Sequence, residues 1–335
     1  MEESIFAKIA KEVNSKCKSG RVCFVFGQEE GMTTDVDYYL GTGCSPLDVI
    51  LGKGLPNKRI IEISGAEGSG KSTLLSAIIA SAQKKGIYPI LFEPEGSNLS
   101  ERLEEIGIEK DKLFILDCDT IEDFFDQLQK TIEGIKNHDK SAKILCGWDS
   151  LATTMSKAQF EGDFDSCQVA TVARVMSNSI RKINRVIAKN DVILIIVNQV
   201  REKIGVMFGE KEITPGGRAL KFYCSIRLKL STAEKIKDSS GNIVGIKTRI
   251  ETKKNKVFAP FKECIAVINF KKGIVNLDSI VASLKSCRSS GFTYGDRTYK
   301  GESIRKLLKS DKGARKEALN QIRIGKISKG DRDEK

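Results

Sequence analysis

"RIIEISGAEGSGKSTLLSAIIASAQKKG", Arg59 to Gly86, contains a complete strand–turn–helix unit. The run Arg59–Gly65 is short and rich in isoleucine, as a buried strand requires. Lys71 onward is a helix-forming stretch closed by Gly86. Between them "GAEGSGKST" matches G-x-x-x-x-G-K-[ST] from Gly65 to Ser72, with strand before and helix after, the two context conditions of a phosphate-binding P-loop. Gly65, Gly68 and Gly70, with Ala66, Glu67 and Ser69 between them, let the backbone curl so that its N–H groups converge on an anion. The helix N-terminus adds partial positive charge. Lys71 reaches the outer phosphates, Ser72 supplies a hydroxyl for Mg²⁺, and Thr73 continues the first turn. A chance glycine-rich turn would not carry this spacing and both flanks.

The same alternation continues outward. "YPILFEPEG", "KILCGWDS" and "VILIIVNQ" read as strands, with "IEDFFDQLQKTIEGIK" and "ATVARVMSNSIRKINRVIAK" as helices between them. Helices separating buried strands predict an α/β fold with a mostly parallel sheet covered on both faces. After Gly217 the runs "FYCSIRLKL", "GIKTRIETKKNK" and "ECIAVINF" read as strands without a helix between them, hairpins that extend the sheet. Ahead of the core, residues 1–17 repeat Ile5, Ile9 and Val13 every four positions, a helix, and Arg21–Phe26 reads as a strand. This arm lacks the apolar residues to fold alone and must dock on its own core or on a neighbour. Three parts result: an N-terminal oligomerisation arm (1–42), an ATPase-type core (43–272) and a basic C-terminal lobe (273–335).

Lys and Arg number 56 against 44 Asp and Glu, a net charge of +12 that suits a polyanionic partner. Eight of those twelve charges lie between Lys285 and Lys335. The nine cysteines lack CxxC spacing and read as reduced cytosolic thiols. The single His138 excludes histidine-based catalysis, and neither a signal peptide nor a membrane span is expected.

Carboxylates and one amide complete the candidate site. Asp149 ends "KILCGWDS", where a second anchor for Mg²⁺ is needed, although an acid there could also cap the next helix. Glu93 and Glu95 stand at the C-terminal end of another strand, where ligands gather in open α/β sheets, and either could activate water. Gln199 ends a strand expected beside the P-loop strand, with its amide toward the γ-phosphate. The segment after it would feel whether that phosphate is present.

"GAEGSGKST", "FEPEGS", "NQVREKIGVMFGEKEITPGGRALKFY" and "KKNKVFAPFK" together resemble the RecA family of DNA strand-exchange recombinases, in order and spacing over nearly the whole chain. The third stretch is the most specific. The resemblance implies a RecA-like P-loop ATPase core with an N-terminal helix–strand arm and a small α/β C-terminal lobe. It implies ATP and Mg²⁺ as cofactors, with Ser72 and Asp149 at the metal. Glu95, rather than Glu93, becomes the residue that activates water. Gln199 couples the γ-phosphate to DNA, and Lys254 and Lys256 reach the ATP of the adjacent subunit. Residues from about Val200 to Arg218 become the second DNA loop, with Arg201 and Lys203 among its cations, Ile204 as the apolar wedge between bases, and Gly216, Gly217 and Arg218 closing on the phosphate backbone. "FEGDFDSCQVATVAR" resembles the first DNA loop. In the helix after it, Met176, Ile180, Ile183 and Ile187 form an apolar stripe while Arg174, Asn178, Arg181 and Arg185 form a polar one. Cations mixed with apolar side chains suit backbone binding and insertion between bases, independent of sequence.

The chain departs from the family pattern in places. Arg102 stands at the position of the family's adenine-stacking aromatic, which leaves nucleotide preference open. Val169 replaces a usual methionine, and the acidic C-terminal tail is missing. The expected activity is a DNA-stimulated ATPase that forms helical filaments on single-stranded DNA and exchanges strands with homologous duplex DNA. Mediator and single-strand-binding proteins are the further partners such a filament would have, in the cytoplasm, or the host cytoplasm if the protein is phage-encoded. A ring-shaped helicase and an accessory DNA-binding module are the rival readings. The "KIGVMFG" loop counts against the first, and intact Lys71, Glu95 and Asp149 against the second.

Overall fold

The computed structural model describes residues 5–16, 35–96, 100–162, 169–202, 212–287 and 291–324. Contacts divide the chain into two units, Met1–Asp35 and Val36–Lys335. The first contains the helix Ile5–Ser15, on which Ile5, Ile9 and Val13 are exposed. The strand expected at Arg21–Phe26 lies outside the described residues.

The second unit is built on nine strands: β1 (Arg59–Gly65), β2 (Tyr88–Phe92), β3 (Phe114–Leu116), β4 (Ile144–Trp148), β5 (Val192–Gln199), β6 (Ile226–Lys237), β7 (Ile243–Asn255), β8 (Glu263–Asn269) and β9 (Gly273–Ile274). Their order across the sheet is β9-β8-β7-β6-β1-β5-β4-β2-β3. From β3 to β6 every pair is parallel, and β6 to β9 form an antiparallel meander. The expected α/β fold with a mostly parallel sheet is therefore present, and its hairpins extend one side.

Period-two alternation sorts the strand side chains into two cores. Ile61, Ile63, Ile193, Ile195 and Val197 face the P-loop helix Lys71–Gln83 through Leu74, Leu75 and Ile78. Ile60, Val192, Leu194 and Ile196 face the other way, against Phe124 and Leu128 of the helix Ile121–His138 and Met176, Ile180, Ile183 and Ile187 of the helix Val169–Lys189. These four residues of the long helix are essentially inaccessible, as the sequence pattern requires.

One segment differs from its sequence reading. "FYC" after Gly217 does not open a strand but closes a short helix, Gly217–Tyr223. Gly216 and Gly217 are both in the left-handed region, with φ of 90° and 68°. They turn the chain so that Leu220 is buried and Ala219 and Tyr223 pack on the core shared with the long helix. Strand β6 begins only at Ile226.

The C-terminal helices Asn276–Cys287, Glu302–Ser310 and Lys312–Ile324 continue the first core rather than forming a separate one. Ser279 and Ser283 fix the first of them to β8 through bonds to the backbone of Val267 and Ile265. Among the described residues, no helix is long and apolar enough to cross a membrane.

Candidate nucleotide and nucleic-acid sites

The P-loop is shaped by what its glycines exclude. A Cβ on Gly65 would lie 2.5 Å from the Leu230 carbonyl oxygen of β6, and one on Gly70 would lie 2.3 Å from Ile268 Cδ1. Gly68 and Gly70 also have φ of 66° and 91°, so the loop needs glycine for conformation as well as space. Ser69 ties the loop down, donating to Ala66 O (2.7 Å) while its own carbonyl accepts from Thr248 Oγ1 (3.0 Å). Lys71 is buried and its Nζ donates to Ala66 O at 2.8 Å. Burial lowers its pKa, against the attraction of Asp149, Glu67 and Glu95. A buried ammonium held by one carbonyl is under-coordinated, and an anion is the partner that its remaining protons favour.

The acids converge on this end of the sheet. Asp149 follows β4 directly, and its N–H donates to Phe92 O of β2 at 2.9 Å. Its carboxylate is buried and accepts from Ser72, and desolvation raises its pKa. A serine hydroxyl beside a buried carboxylate is the hard-oxygen pair that Mg²⁺ favours when nucleotide phosphates complete its shell. Among the described residues no group of three or more acids, histidines or cysteines is placed to hold a metal ion. Strand β2 stops at Phe92, so Glu93 and Glu95 lie in the following turn and strand alternation does not govern them. Glu95 is exposed and accepts from Ser150 Oγ at 3.1 Å. Ser150 is thus a neighbour of the site that single-residue inspection of the sequence missed.

β1 and β5 pair in register, with Ser64 opposite Asn198 and Gly65 opposite Gln199. Gln199 is half-buried and continues the alternation of Ile195 and Val197 on the P-loop-helix face. Asn198 belongs to the opposite face and is fully buried. Its amide nitrogen donates to Glu62 Oε1 (3.1 Å) and to Pro215 O (3.0 Å), just before Gly216. Glu62, fully buried in the middle of the P-loop strand, is neutralised by Arg227. The sequence alone suggests no role for Glu62, a lone acid in an oily strand, and none for Asn198 beyond its place in the amide pair Asn198–Gln199, because their partners are distant in the chain.

A model of the RecA N-terminal domain matches residues 5–275. The chain belongs to the RecA family. Protein RecA of Clostridium botulinum (strain Eklund 17B / Type B) is 38% identical over 292 residues, covering 85% of this chain and 80% of the relative. Protein RecA of Clostridium acetobutylicum is 36% identical over 305 residues, covering 89% and 84%. This chain is therefore a RecA-type recombination and repair protein.

The remaining residues expected of a RecA protein fall into two sets. Lys254 and Lys256 lie near the end of β7, where Lys254 pairs with Arg227 and so sits level with Glu62 rather than with Gly65. Lys254 Nζ donates to the carbonyls of Lys221 (2.7 Å) and Phe222 (3.0 Å) at the end of the short helix, and desolvation followed by Lys256 lowers its pKa. Lys256 is exposed, 5.5 Å from the Phe222 ring centre. Both are thus apart from the P-loop of the same chain.

The second set flanks the long helix. Arg174, Asn178, Arg181 and Arg185 are exposed, on the side away from the buried Met176–Ile187 stripe. A Cβ on Gly217 would lie 3.1 Å from Ala173 Cβ, and one on Gly216 would lie 2.8 Å from Leu151 Cδ2. The end of the 200–218 segment therefore abuts the helix one residue before Arg174, with Arg218 exposed beside it. Arg201 is described in its backbone alone, within the short ladder Arg201–Glu202 to Glu212–Ile213. Lys203 and Ile204, and the first-loop residues 163–168, lie outside the described residues.

Proposed function

We propose that this RecA-type protein is a DNA-dependent ATPase that assembles on single-stranded DNA as a helical filament, pairs it with homologous duplex and exchanges strands. The observation that carries the proposal is the register of β1 and β5. Gln199 lies beside Gly65 of the P-loop, while its neighbour Asn198 holds Pro215, next to Gly216 and Gly217, from the opposite face. Two adjacent residues thus stand between the proposed phosphate site and the closing end of the candidate DNA segment.

In this reading Lys71 and the loop from Gly65 to Thr73 bind the phosphates, and Ser72 and Asp149 would hold Mg²⁺. The metal would neutralise charge on the phosphates when bound. Glu95, oriented by Ser150, takes the proton of the attacking water. Gln199 senses the outer phosphate, and residues 200–218 with Arg174 and Arg181 grip the DNA backbone. Lys254 and Lys256 serve the nucleotide of the adjacent subunit.

Assembly has physical support on both units. The edge strand β3 has no partner on its outer side among the described residues, and its Phe114 and Ile115 are 54% and 53% exposed. An apolar hollow lined by Tyr88, Phe114 and Ile135 adjoins it. The exposed stripe of Ile5, Ile9 and Val13 belongs to an arm of the complementary character. Docking of that arm on a neighbouring copy would cover both surfaces.

The test is single-strand affinity measured with a non-hydrolysed ATP analogue, with ADP and without nucleotide, together with joint-molecule formation on homologous duplex. The analogue should give the tightest binding, and Glu95→Gln should keep that binding while losing DNA-stimulated hydrolysis. Equal affinity in all three nucleotide states would overturn the proposal.

A further inference from the structure

The nucleotide cleft contains a second cation whose position calls for an explanation. The cleft, of about 270 Å³, is bounded by Gly68, Gly70, Lys71 and Ser72 on one side and by Ile268 and Phe270 on the other. Arg102, from the helix Ser100–Ile106, closes it. Its guanidinium turns back on the P-loop helix, with Nη2 donating to Thr73 Oγ1 at 3.4 Å.

Thr73 is in the first turn of that helix. The first intrahelical bond there is made by Leu74 N to Gly70 O, so the N–H groups of Lys71, Ser72 and Thr73 are without helical acceptors. Arg102 thus adds a permanent positive charge at the positive end of a helix dipole, in the same cleft as Lys71. That arrangement is unfavourable in itself. Among the described residues no carboxylate pairs with Arg102 to offset it. An anion lying between the guanidinium and the helix end resolves the conflict. Thr73 follows Lys71 and Ser72 along the helix, away from the loop that would cup the outer phosphates. The anion nearest Arg102 is accordingly an inner phosphate, toward the ribose.

We infer that Arg102 is a specificity-determining residue: it binds the inner phosphates of the nucleotide and so supplies affinity that does not depend on the base. The inference rests on the reading of the P-loop as a nucleotide site. A guanidinium is a fixed charge with a planar fork suited to phosphate. A residue that stacks on the base would favour one base over another, whereas a phosphate contact is common to all nucleotides. Arg102 therefore makes the protein tolerant of the base, with ATP, GTP and CTP bound within a narrow range of affinity.

The experiment is an equilibrium titration of the full chain with ATP, ADP, GTP and CTP in Mg²⁺, at two salt concentrations, for wild type, Arg102→Gln, Arg102→Lys and Arg102→Tyr. Arg102 is exposed, so thermal melts of the variants should coincide with wild type. Arg102→Gln should weaken all four nucleotides by a common factor, roughly tenfold, and the deficit should shrink at high salt. Arg102→Lys should restore part of it. Arg102→Tyr should widen the gap between ATP and CTP. A loss confined to adenine nucleotides, or no loss at all while wild type binds ATP, would overturn the inference and leave the nucleotide reading standing. A wild-type protein that binds none of the four would sink both.

Discussion

The proposed nucleotide cradle and the proposed nucleic-acid face, the arginines of the long helix, would both take anions, yet they are built on opposite principles. In the cradle, groups are buried and pre-aimed: Lys71 has lost its water, Ser69 and Thr248 brace the loop, and Asp149 is desolvated against Ser72. On the helix, Arg174, Arg181 and Arg185 keep their water, and only the apolar stripe beneath them is fixed. A cradle so built suits one phosphate chain in one geometry. The helix face suits a polymer that must be gripped anywhere along its length, where pre-aimed burial would be a handicap. The difference teaches that the two sites should fail differently, one all at once and the other by degrees.

The sharpest way to break the contrast is Lys71→Ala. Among the described residues the side chain makes a single bond, to the Ala66 carbonyl, so its loss should leave the fold intact. Nucleotide affinity should fall about 100-fold or more, since a desolvated charge-assisted contact disappears. Titration with a fluorescent nucleotide alongside a thermal melt reads both. A loss of less than threefold would mean that the cradle is no more pre-aimed than the helix face.

The second test concerns the residue between the two regions. Asn198→Ala removes a fully buried donor from Glu62 and from Pro215. Leaving those acceptors unmet should cost about 2–3 kcal/mol of stability, read from the denaturant midpoint. If Asn198 also holds the DNA segment in register with the P-loop strand, an ATP analogue should no longer tighten DNA binding in the variant, although nucleotide affinity itself should persist. Undiminished tightening would show that the two sites communicate by another route.

These residues also mark how far the sequence could be read. The P-loop was legible because nine consecutive residues carry its chemistry, and the parallel sheet because strands of Ile, Val and Leu alternate with amphipathic helices. The place of Gln199 at a strand end beside the P-loop was legible because it closes an oily run. Its neighbour Asn198 was not, because its role depends on Glu62, 136 positions earlier in the chain, and on Pro215. The same holds for Ser150, whose partner Glu95 is 55 residues away. The short helix Gly217–Tyr223 was misread because the aromatic run "FYC" has strand propensity, and the left-handed pair Gly216–Gly217 overrides it. Local chemistry is written in order along the chain, whereas pairings across the sheet become visible only when the strands are in register.

A graded response is the signature expected of the helix face. Arg174→Glu with Arg181→Glu should weaken single-strand binding about tenfold to 100-fold at moderate salt. Each lost phosphate contact should reduce the slope of log affinity against log salt by about 0.7. Nucleotide binding without DNA should not change. A single reversal should give an intermediate effect, as exposed and separate cations require. Complete loss from one substitution would place Arg174 or Arg181 in a buried, pre-aimed contact and remove the distinction between the regions.

The smallest effect is the one that isolates burial as the cause. Desolvation raises the pKa of Asp149 above the ordinary 3.8, while the Ser72 hydroxyl and Lys71 pull it down. A carboxyl raised in the folded state holds its proton to higher pH than the unfolded chain does. Its contribution to stability is therefore greatest below the unfolded pKa and is lost as pH rises through the native value. A bound cation reverses the preference, because only the ionised form can serve it. Mg²⁺-dependent nucleotide affinity should consequently begin to fall at a pH above the usual aspartate range as the solution is acidified, by at most about tenfold per unit, while affinity without Mg²⁺ should lack that inflection. Asp149→Asn should abolish it. No comparable inflection should appear in DNA binding to the helix face, where arginines stay charged throughout. An identical acid profile for both sites would mean that the cradle's acid is as well hydrated as the helix's cations, and burial would no longer distinguish them.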